Sequence, residues 1–348
     1  MKKVTIKDVA REANVSVGTV YRAINNTGRI KKETRERVLE VVERLGYRAN
    51  TVARGLALRK KFVILVIMPY APEIFWDEVR KGTRMAAAEL SELNVQIIEF
   101  NHVNGKCQNR NIRDILDTNE IDAIAMAPVM FDDHEYVTKY ANENNIPLAT
   151  FDDDTSAGER LFYYGPDDYL AGQMAAELMY KFSGGSGTCC IISRSVDNSY
   201  KRVQGFKEYI EKNYLDFGIG KIYICTTEEA MSVVGQAIKE FPDAKGFYCD
   251  QYTTLYNSYR LFEQAGKKYV VIGHEYNEEY KEALRKGTIT AILAQERVCQ
   301  GYYPVKMLYE YLITGEKPSK DTYYSNINII IGTNADYLQH NEYGCGYE

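Results

Sequence analysis

The sequence predicts a small all-α domain followed by a larger α/β body of doubly wound parallel sheets in two lobes. The first 60 residues contain three short stretches with helical periodicity and capping signals. From residue 62 onward, apolar runs alternate with amphipathic stretches, which is the pattern of βαβ units. This alternation occurs in two similar series, and 348 residues are enough for two or three domains. We therefore expect an all-α head and a two-lobed body.

The first signals in the head predict a helix and the turn after it. Thr5 and Asp8 have the spacing of a capping box, in which two side chains bind backbone N–H groups at a helix start. A helix over 6–13 is expected to follow, with its apolar residues on one face. Asn14 then fits a turn, because Asn tolerates a positive φ better than most residues.

Two more helices complete the predicted head. Ser16 is the expected N-cap of a helix over Val17–Asn25, and apolar residues at helical spacing predict a third helix over Lys32–Leu45. Gly46 fits the left-handed position that ends a helix. Two short helices joined by a tight turn and followed by a third form a helix-turn-helix, which is a DNA-binding motif.

The charge of the chain divides between its two parts. Residues 1–61 carry 16 Lys and Arg against 6 Asp and Glu, whereas the rest of the chain carries 27 against 42. The net charge of −5 is therefore an average over a basic head and an acidic body. A basic head favours binding to the phosphates of DNA, and a merely solvated basic surface is the alternative.

The second helix is predicted to be the recognition helix that enters the major groove. Arg22 lies on its outward face and can form a bidentate contact with guanine. Val17 can reach a thymine methyl group, while Tyr21 can contact a base or a phosphate. Gly18 allows a close approach to DNA. The residues expected to hold the DNA backbone, or otherwise to be caps or solvated side chains, are Thr5, Ser16, Thr19, Asn25, Arg29 and Thr34.

The head resembles the lactose/galactose repressor family of bacterial transcription regulators. The resemblance implies a repressor that binds a palindromic DNA operator as a homodimer. It also implies a hinge that becomes a short helix on DNA, with Asn50 and Ala53 as contacts and Leu56 wedged into the minor groove. A Leu56 packed on its dimer mate is the alternative. The matching stretches are 4–10, 13–16, 19–20, Arg22, Asn25, 32–47 and 49–56.

In the body, apolar runs predict strands and amphipathic stretches predict helices. The first series has strands at 62–68, 95–100, 122–127 and 147–151, with helices at 75–93, 109–119 and 133–144. The second has helices at 166–182, 199–214, 228–241, 252–266 and 278–286, with strands at 188–193, 221–225, 246–250, 269–273 and 290–294. Parallel sheets with a ligand cleft between the two lobes are expected.

Candidate ligand-binding residues follow the ends of these strands, where ligands bind in parallel α/β sheets. Aromatic rings with carboxylates, an Arg and an amide suit a polyhydroxylated ligand, because sugar C–H faces stack on rings and hydroxyls bind the polar groups. Trp76 could instead be a core aromatic, Arg202 an ion-pair residue on a helix face, and each Asp a loop residue or cap. The candidates are Phe75, Trp76, Asp152, Asp153, Asp154, Arg202, Asp250, Glu275 and Gln295.

Over residues 62–332 the body is similar to the type I periplasmic sugar-binding-protein fold that the same repressor family uses. The matching stretches are 75–87, 146–152, 202–206, 294–301 and 315–318. The resemblance implies a sugar or sugar derivative as the effector, with Phe75 and Trp76 as stacking rings. It also implies a pocket that Asp153, Asp250 and Glu275 make more acidic than usual, so that a basic or amine-bearing ligand fits as well.

Other features exclude several classes of protein. No apolar run approaches the roughly 18 residues of a membrane span, and no signal peptide is expected, so we predict a cytoplasmic protein. The seven Cys form no C-x-x-C pair and the four His lack ligand spacing, so free thiols and neither metal nor cofactor are expected. Enzyme signatures for a serine nucleophile or a P-loop are missing. An enzyme with a DNA-binding head, or a body that answers to a protein partner, remains as an alternative.

These observations predict three regions. A DNA-binding domain is expected at 1–49 and a hinge at 50–61. The effector-binding domain, 62–348, is expected to have one lobe at 62–163 plus 295–325 and another at 164–294 plus 326–348. Ligand closure of the lobes is expected to change the dimer and hence the spacing of the two hinges.

Overall fold

Most of the head and nearly all of the body are described by a computed structural model. It describes residues 4–25, 28, 30–47, 60–103, 111–129, 131–155, 160–194 and 197–336. Four predicted DNA contacts, Arg29, Asn50, Ala53 and Leu56, lie outside these residues, as does the side chain of Asn25.

Three helices form the head: α1 at Ile6–Glu12, α2 at Val17–Asn25 and α3 at Lys32–Leu45. The capping box is confirmed, because the Thr5 N–H donates to Asp8 Oδ2 at 3.0 Å and the Asp8 N–H donates to Thr5 Oγ1 at 3.4 Å. Gly46 ends α3 with a left-handed backbone, as predicted. The apolar faces of the helices meet in a small core that includes the buried residues Val9, Ala10, Ala13, Val20, Ala23, Val38 and Val41.

The body consists of two six-stranded sheets with helices on both faces. Its first part comprises β1 Phe62–Pro69, α4 Glu73–Ser91, β2 Val95–His102, α5 Ile112–Thr118, β3 Ala123–Met126, α6 His134–Glu143, β4 Leu148–Phe151, β5 Phe162–Gly165, α7 Asp168–Phe182, β6 Gly187–Ser193 and α8 Asp197–Asn213. Its second part comprises β7 Phe217–Ile224, α9 Ala230–Glu240, β8 Gly246–Cys249, α10 Tyr252–Gln264, β9 Val270–His274, α11 Tyr280–Lys286, β10 Ala291–Gln295, α12 Arg297–Thr314, β11 Thr322–Tyr324 and β12 Ile327–Ile330.

The strand order defines two lobes. The first sheet has the order β11-β5-β4-β3-β1-β2, and the second has the order β12-β10-β9-β8-β6-β7. All pairs are parallel except β10 with β12, which is antiparallel, so the second sheet is mixed rather than purely parallel. The chain passes between the sheets at three places: after β5, after β10 and after β11. Each lobe is therefore completed by residues from a distant part of the sequence.

Several elements differ from the sequence-based prediction. The pattern did not predict β5, β11 and β12, which are only three or four residues long. It also did not predict α12, which contains Pro304, and a proline inside a helix is a breaking signal. Strand β7 begins at Phe217 rather than at 221, because Gly218 and Gly220 interrupt the apolar pattern without ending the strand.

Each lobe contains one pair of helices in very close contact. In the first lobe, a Cβ added to Gly82 of α4 would lie 1.9 Å from the Val298 carbonyl oxygen, and one added to Gly301 of α12 would lie 1.9 Å from that of Val79. In the second lobe, a Cβ on Gly172 of α7 would lie 2.0 Å from the Arg202 carbonyl oxygen of α8. The absence of a side chain lets these backbones touch. Across the described residues, no helix is long and apolar enough to cross a bilayer.

Candidate functional site

A cleft opens between the two lobes, and residues of both lobes line it. Its walls come mostly from residues just beyond the carboxyl ends of strands in both sheets, as the ligand rule for parallel sheets requires. The described residues that line it are Pro72, Phe75, Trp76, Val129, Asp152, Arg194, Arg202, Gln251, Tyr252, Thr253, Glu275 and Gln295. Six of the nine predicted ligand-binding residues are among them.

Arg202 is the principal cation of the second lobe. It extends from α8 and is 5% exposed. Its Nε donates to Asp168 Oδ1 at 2.7 Å, and its Nη1 donates to the Asp250 carbonyl oxygen at 2.8 Å. Burial disfavours the charge, but the carboxylate of Asp168 outweighs it and raises the pKa of Arg202. The guanidinium is thus a fixed, charged donor at the cleft wall.

Glu275 and Gln295 form a hydrogen-bonded chain at the junction of the lobes. Gln295 Nε2 donates to Glu275 Oε1 at 2.7 Å, and Gln300 Nε2 donates to Gln295 Oε1 at 2.7 Å. Arg297 lies 3.9 Å from Glu275 Oε2 and donates to the carbonyl oxygens of Ile74 and Tyr276. Since Ile74 belongs to the first lobe and Tyr276 to the second, this cation links both lobes beside the cleft.

Asp152 lies directly after β4 and is 8% exposed. Its φ of 63° and the φ of 60° at Glu275 are left-handed, a conformation that non-glycine residues adopt mainly where function or tertiary structure demands it. Burial, together with the carboxylates of Asp153, Asp168 and Glu275, raises the pKa of Asp152 well above its usual range. The same desolvation raises the pKa of Glu275.

Aromatic rings cover one side of the cleft. Phe75 and Trp76 lie near the start of α4 and contact each other edge to face, with centroids 4.9 Å apart. Both rings belong to the core of the first lobe as well as to the cleft wall. Trp76 therefore fits both the predicted position in the cleft wall and the alternative of a core aromatic. Tyr252, at the start of α10, adds a ring from the second lobe.

Three predicted residues lie outside the lining of the cleft. Asp154 is held by a partly buried ion pair, because Arg160 donates to both of its carboxylate oxygens at 2.6 Å. Asp250 lies behind the wall, where its Oδ2 accepts a hydrogen bond from Ser193 at 2.5 Å. Asp153 accepts a hydrogen bond from the Asp154 N–H. Asp154 and Asp250 thus lie outside the lining of the cleft. Both follow the ends of strands, as the lining residues do, so their position in the sequence does not distinguish the two groups.

Sequence reasoning missed half of the lining. Arg194 follows β6, while Gln251 and Thr253 follow β8, so the strand-end rule that identified Asp152 and Glu275 applies to them equally. Pro72 and Val129 carry no polar group and gave no chemical signal. In the structure, Arg194 Nη1 donates to Thr253 Oγ1 at 3.3 Å.

Helix α2 presents the predicted recognition surface. Val17 and Tyr21 are 41% and 49% exposed, and Arg22 and Gly18 are exposed beside them. The Ser16 and Thr19 hydroxyls lie 2.9 Å apart, and Ser16 caps α2 by accepting from the Thr19 N–H at 3.1 Å.

Some of the other polar side chains that were predicted to contact DNA form hydrogen bonds within the head. Arg22 Nη2 donates to Thr19 Oγ1 at 3.3 Å. Thr5 is exposed but uses its hydroxyl in the cap of α1, and Thr34 is half-buried at the start of α3. The exposed residues of α2 include Val17, Gly18, Tyr21 and Arg22.

Comparison with known protein families gives two matches that together cover most of the chain. Residues 64–317 match the periplasmic binding protein domain. Residues 5–50 match the bacterial regulatory proteins of the lacI family. The two matches lie on either side of the segment predicted as a hinge.

Individual relatives agree with the family matches. Catabolite control protein A of Priestia megaterium is 53% identical over 79 residues, which are 23% of this chain and 24% of that protein; the matched region thus spans about a quarter of this curated relative. A candidate LacI transcriptional regulator from Bacteroides fragilis has a TM-score of 0.69 at 21% identity, over 80% of this chain and 99% of that one. GanP, a glucose-galactose binding protein from Geobacillus stearothermophilus, has a TM-score of 0.68 at 23% identity, over 79% and 99%. The body of the chain belongs to the periplasmic binding protein domain family, and its head matches the lacI family of bacterial regulatory proteins.

Proposed function

We propose that this protein is a transcription repressor whose affinity for an operator is controlled by a small molecule bound between the two lobes. The observation that carries this proposal is the combination, in one chain, of an exposed helix α2 in a helix-turn-helix and a polar cleft lined by residues of both lobes. The domain boundaries are those given by the sequence: DNA-binding domain 1–49, hinge 50–61 and effector-binding body 62–348.

The ligand class follows from the lining of the cleft. Asp152, Glu275 and Gln295 accept hydrogen bonds from hydroxyls, while Arg202 donates one. The rings of Phe75 and Trp76 suit the apolar face of a sugar. The name of the structural neighbour GanP, a glucose-galactose binding protein, also supports a sugar or sugar derivative.

Operator binding would use two heads in a homodimer, because one helix-turn-helix covers too little DNA for useful specificity. Arg22, Val17 and Tyr21 would read bases, and Gly18 would allow a close approach. The predicted hinge residues Asn50, Ala53 and Leu56 would contact the minor groove. Action on DNA places the protein in the cytoplasm, which the buried free thiols Cys189, Cys190, Cys225, Cys249 and Cys299 also favour.

Replacing Arg22 with Ala is expected to weaken operator binding by about 1–3 kcal/mol, because a bidentate contact to guanine is lost. The measurement is a fluorescence-anisotropy titration with an operator selected from random duplexes by the wild-type protein. Arg113→Ala, which removes an exposed cation from the body, is the control and should bind as the wild type does. An unchanged affinity for Arg22→Ala would contradict the assignment of α2 as the recognition helix.

The ligand proposal can be tested through the chain's only tryptophan, Trp76, which lines the cleft and is 3% exposed. A sugar that binds there should change the fluorescence of this residue. At 100 times its Kd, the ligand should also stabilise the protein by about 2.7 kcal/mol. Sugars, polyols and amino sugars form the panel. If none changes either signal, the body answers to a protein partner instead, which is the second candidate function.

An enzyme with a DNA-binding head was the third possibility that the sequence left open. The family model that residues 5–50 match describes bacterial regulatory proteins, and the structural neighbour from Bacteroides fragilis is named as a transcriptional regulator. Recovery of an unaltered ligand after long incubation with the protein is the expected result.

A further inference from the structure

The cleft contains two buried carboxylates whose hydrogen-bonding capacity is not filled by the protein. Asp152 is only 8% exposed. Among the described residues, no N–H or O–H group donates a hydrogen bond to its carboxylate. Glu275 is 3% exposed, and its Oε2 has no hydrogen-bond donor among the same residues. Buried acceptors without donors cost free energy. A ligand that donates hydrogen bonds to the Asp152 and Glu275 carboxylates would remove this cost.

Three arginines near these carboxylates, Arg202, Arg160 and Arg297, are engaged with other groups, and Arg194, which also lines the cleft, donates to Thr253 Oγ1. Arg202 is bound to Asp168 at 2.7 Å, and Arg160 is bound to Asp154 at 2.6 Å. Arg297 approaches Glu275 only to 3.9 Å, while its N–H groups donate to two backbone carbonyls. A ligand that brought only neutral hydroxyls could satisfy the hydrogen bonds of Asp152 but would supply no positive charge to favour its ionised form in a buried site.

We propose that the effector carries a protonated amine beside its hydroxyl groups, as an amino sugar does, and that the ammonium binds at the Asp152 and Glu275 carboxylates. This inference rests on the proposed function, because it names the ligand class of the same cleft. An ammonium supplies three donors and the missing positive charge. The rings of Phe75 and Trp76 line the same cleft and attract a cation to their faces.

Proton exchange should accompany the binding of such a ligand. The groups that act on the Asp152 carboxyl are Asp153, Asp168 and Glu275, which favour its protonated form together with burial, and Arg202, which opposes it. In the empty cleft, Asp152 therefore retains a proton well above the ordinary pKa of an aspartate. An incoming ammonium favours the carboxylate and lowers this pKa, so a proton leaves as the amine binds.

The test is isothermal titration calorimetry of the full chain with matched probes. Glucosamine and galactosamine are compared with glucose and galactose, and with the two N-acetylated amino sugars, which keep the nitrogen but lose its charge and carry an added acetyl group. The amines are expected to bind on the order of tenfold more tightly than their parent sugars. Titrations in two buffers with different ionisation enthalpies should show proton release for the amines and none for the neutral sugars.

Asp152→Asn tests the residue at the centre of the inference. It should abolish the preference for amines and the proton release. A carboxyl whose pKa is raised by folding lowers stability as the pH rises above its usual value, so this variant should unfold at a higher temperature than the wild type at neutral pH without ligand. Asp117→Asn makes the same chemical change at an exposed site on α5 and should alter neither property.

The outcomes separate the inference from the proposed function. If the neutral sugars bind as tightly as the amines, or if Asp152→Asn keeps the preference, the inference is overturned and the sugar-controlled regulator stands. If none of the six probes binds, the proposed sugar ligand fails and the inference fails with it.

Discussion

Replacing Gly301 with Ala is expected to lower the free energy of unfolding by about 3 kcal/mol. The new methyl group would lie 1.9 Å from the Val79 carbonyl oxygen and 2.9 Å from the Thr83 nitrogen. Both are backbone atoms of α4, so neither can rotate away as a side chain would. The two helices must separate, which weakens the first lobe and breaks the hydrogen bond from Thr83 Oγ1 to the Gly301 carbonyl oxygen.

Trp76 allows this unfolding to be followed in the lobe concerned, since it belongs to the core that α4 and α12 share. Urea titration monitored by its fluorescence gives the free energy. Gly235→Ala in α9 is the matched control, because only the Leu261 side chain comes within 4 Å of the added methyl group, at 3.9 Å. That variant should be neutral or slightly more stable, since Ala favours helix over Gly. Equal effects of the two substitutions would refute the close contact.

The second large effect is expected from Asp168→Ala, which should destabilise the second lobe by about 3–5 kcal/mol. The substitution leaves the Arg202 guanidinium buried without its carboxylate partner, since the two side chains are 6% and 5% exposed. Because Asp168 holds Arg202 against the cleft, ligand affinity should fall as well. Thermal unfolding with and without a bound sugar measures both consequences.

Asp336→Ala provides the comparison for that experiment. Asp336 binds Arg285 at the same distance of 2.7 Å, but these side chains are 51% and 43% exposed. Solvent screens an exposed pair and replaces its hydrogen bonds, so its removal should have a far smaller effect. If the two substitutions lower the free energy of unfolding equally, burial does not determine the contribution of the Asp168–Arg202 pair to stability.

The local signals of the sequence were the most informative. Thr5, Asp8 and Gly46 define helix ends through bonds to residues within one turn, so the head could be predicted almost to the residue. The strand-end rule located Asp152 and Glu275 because parallel sheets place their carboxyl ends together. In each case the physical cause lies within a few residues of the signal or in a general property of the fold.

Features that depend on tertiary contacts could not be predicted in the same way. Arg160, six residues after Asp154, pairs with this carboxylate and keeps it out of the cleft lining, but no periodic or capping signal in the sequence predicts that contact. Helix α12 runs through Pro304, which the first lobe tolerates because the helix packs on α4 along most of its length. Tertiary contacts override the local preference there.

The three passages of the chain between the lobes have a consequence for synthesis. When synthesis has reached residue 290, five strands of the first sheet have been made. At that point α12, which covers one face of that sheet, and β11, which pairs with the edge strand β5, have not yet been made. The apolar surface later shielded by Tyr303, Val305 and Leu308 faces water during that interval. We therefore expect nascent chains to be prone to aggregation, and in need of chaperones, until α12 and β11 emerge from the ribosome.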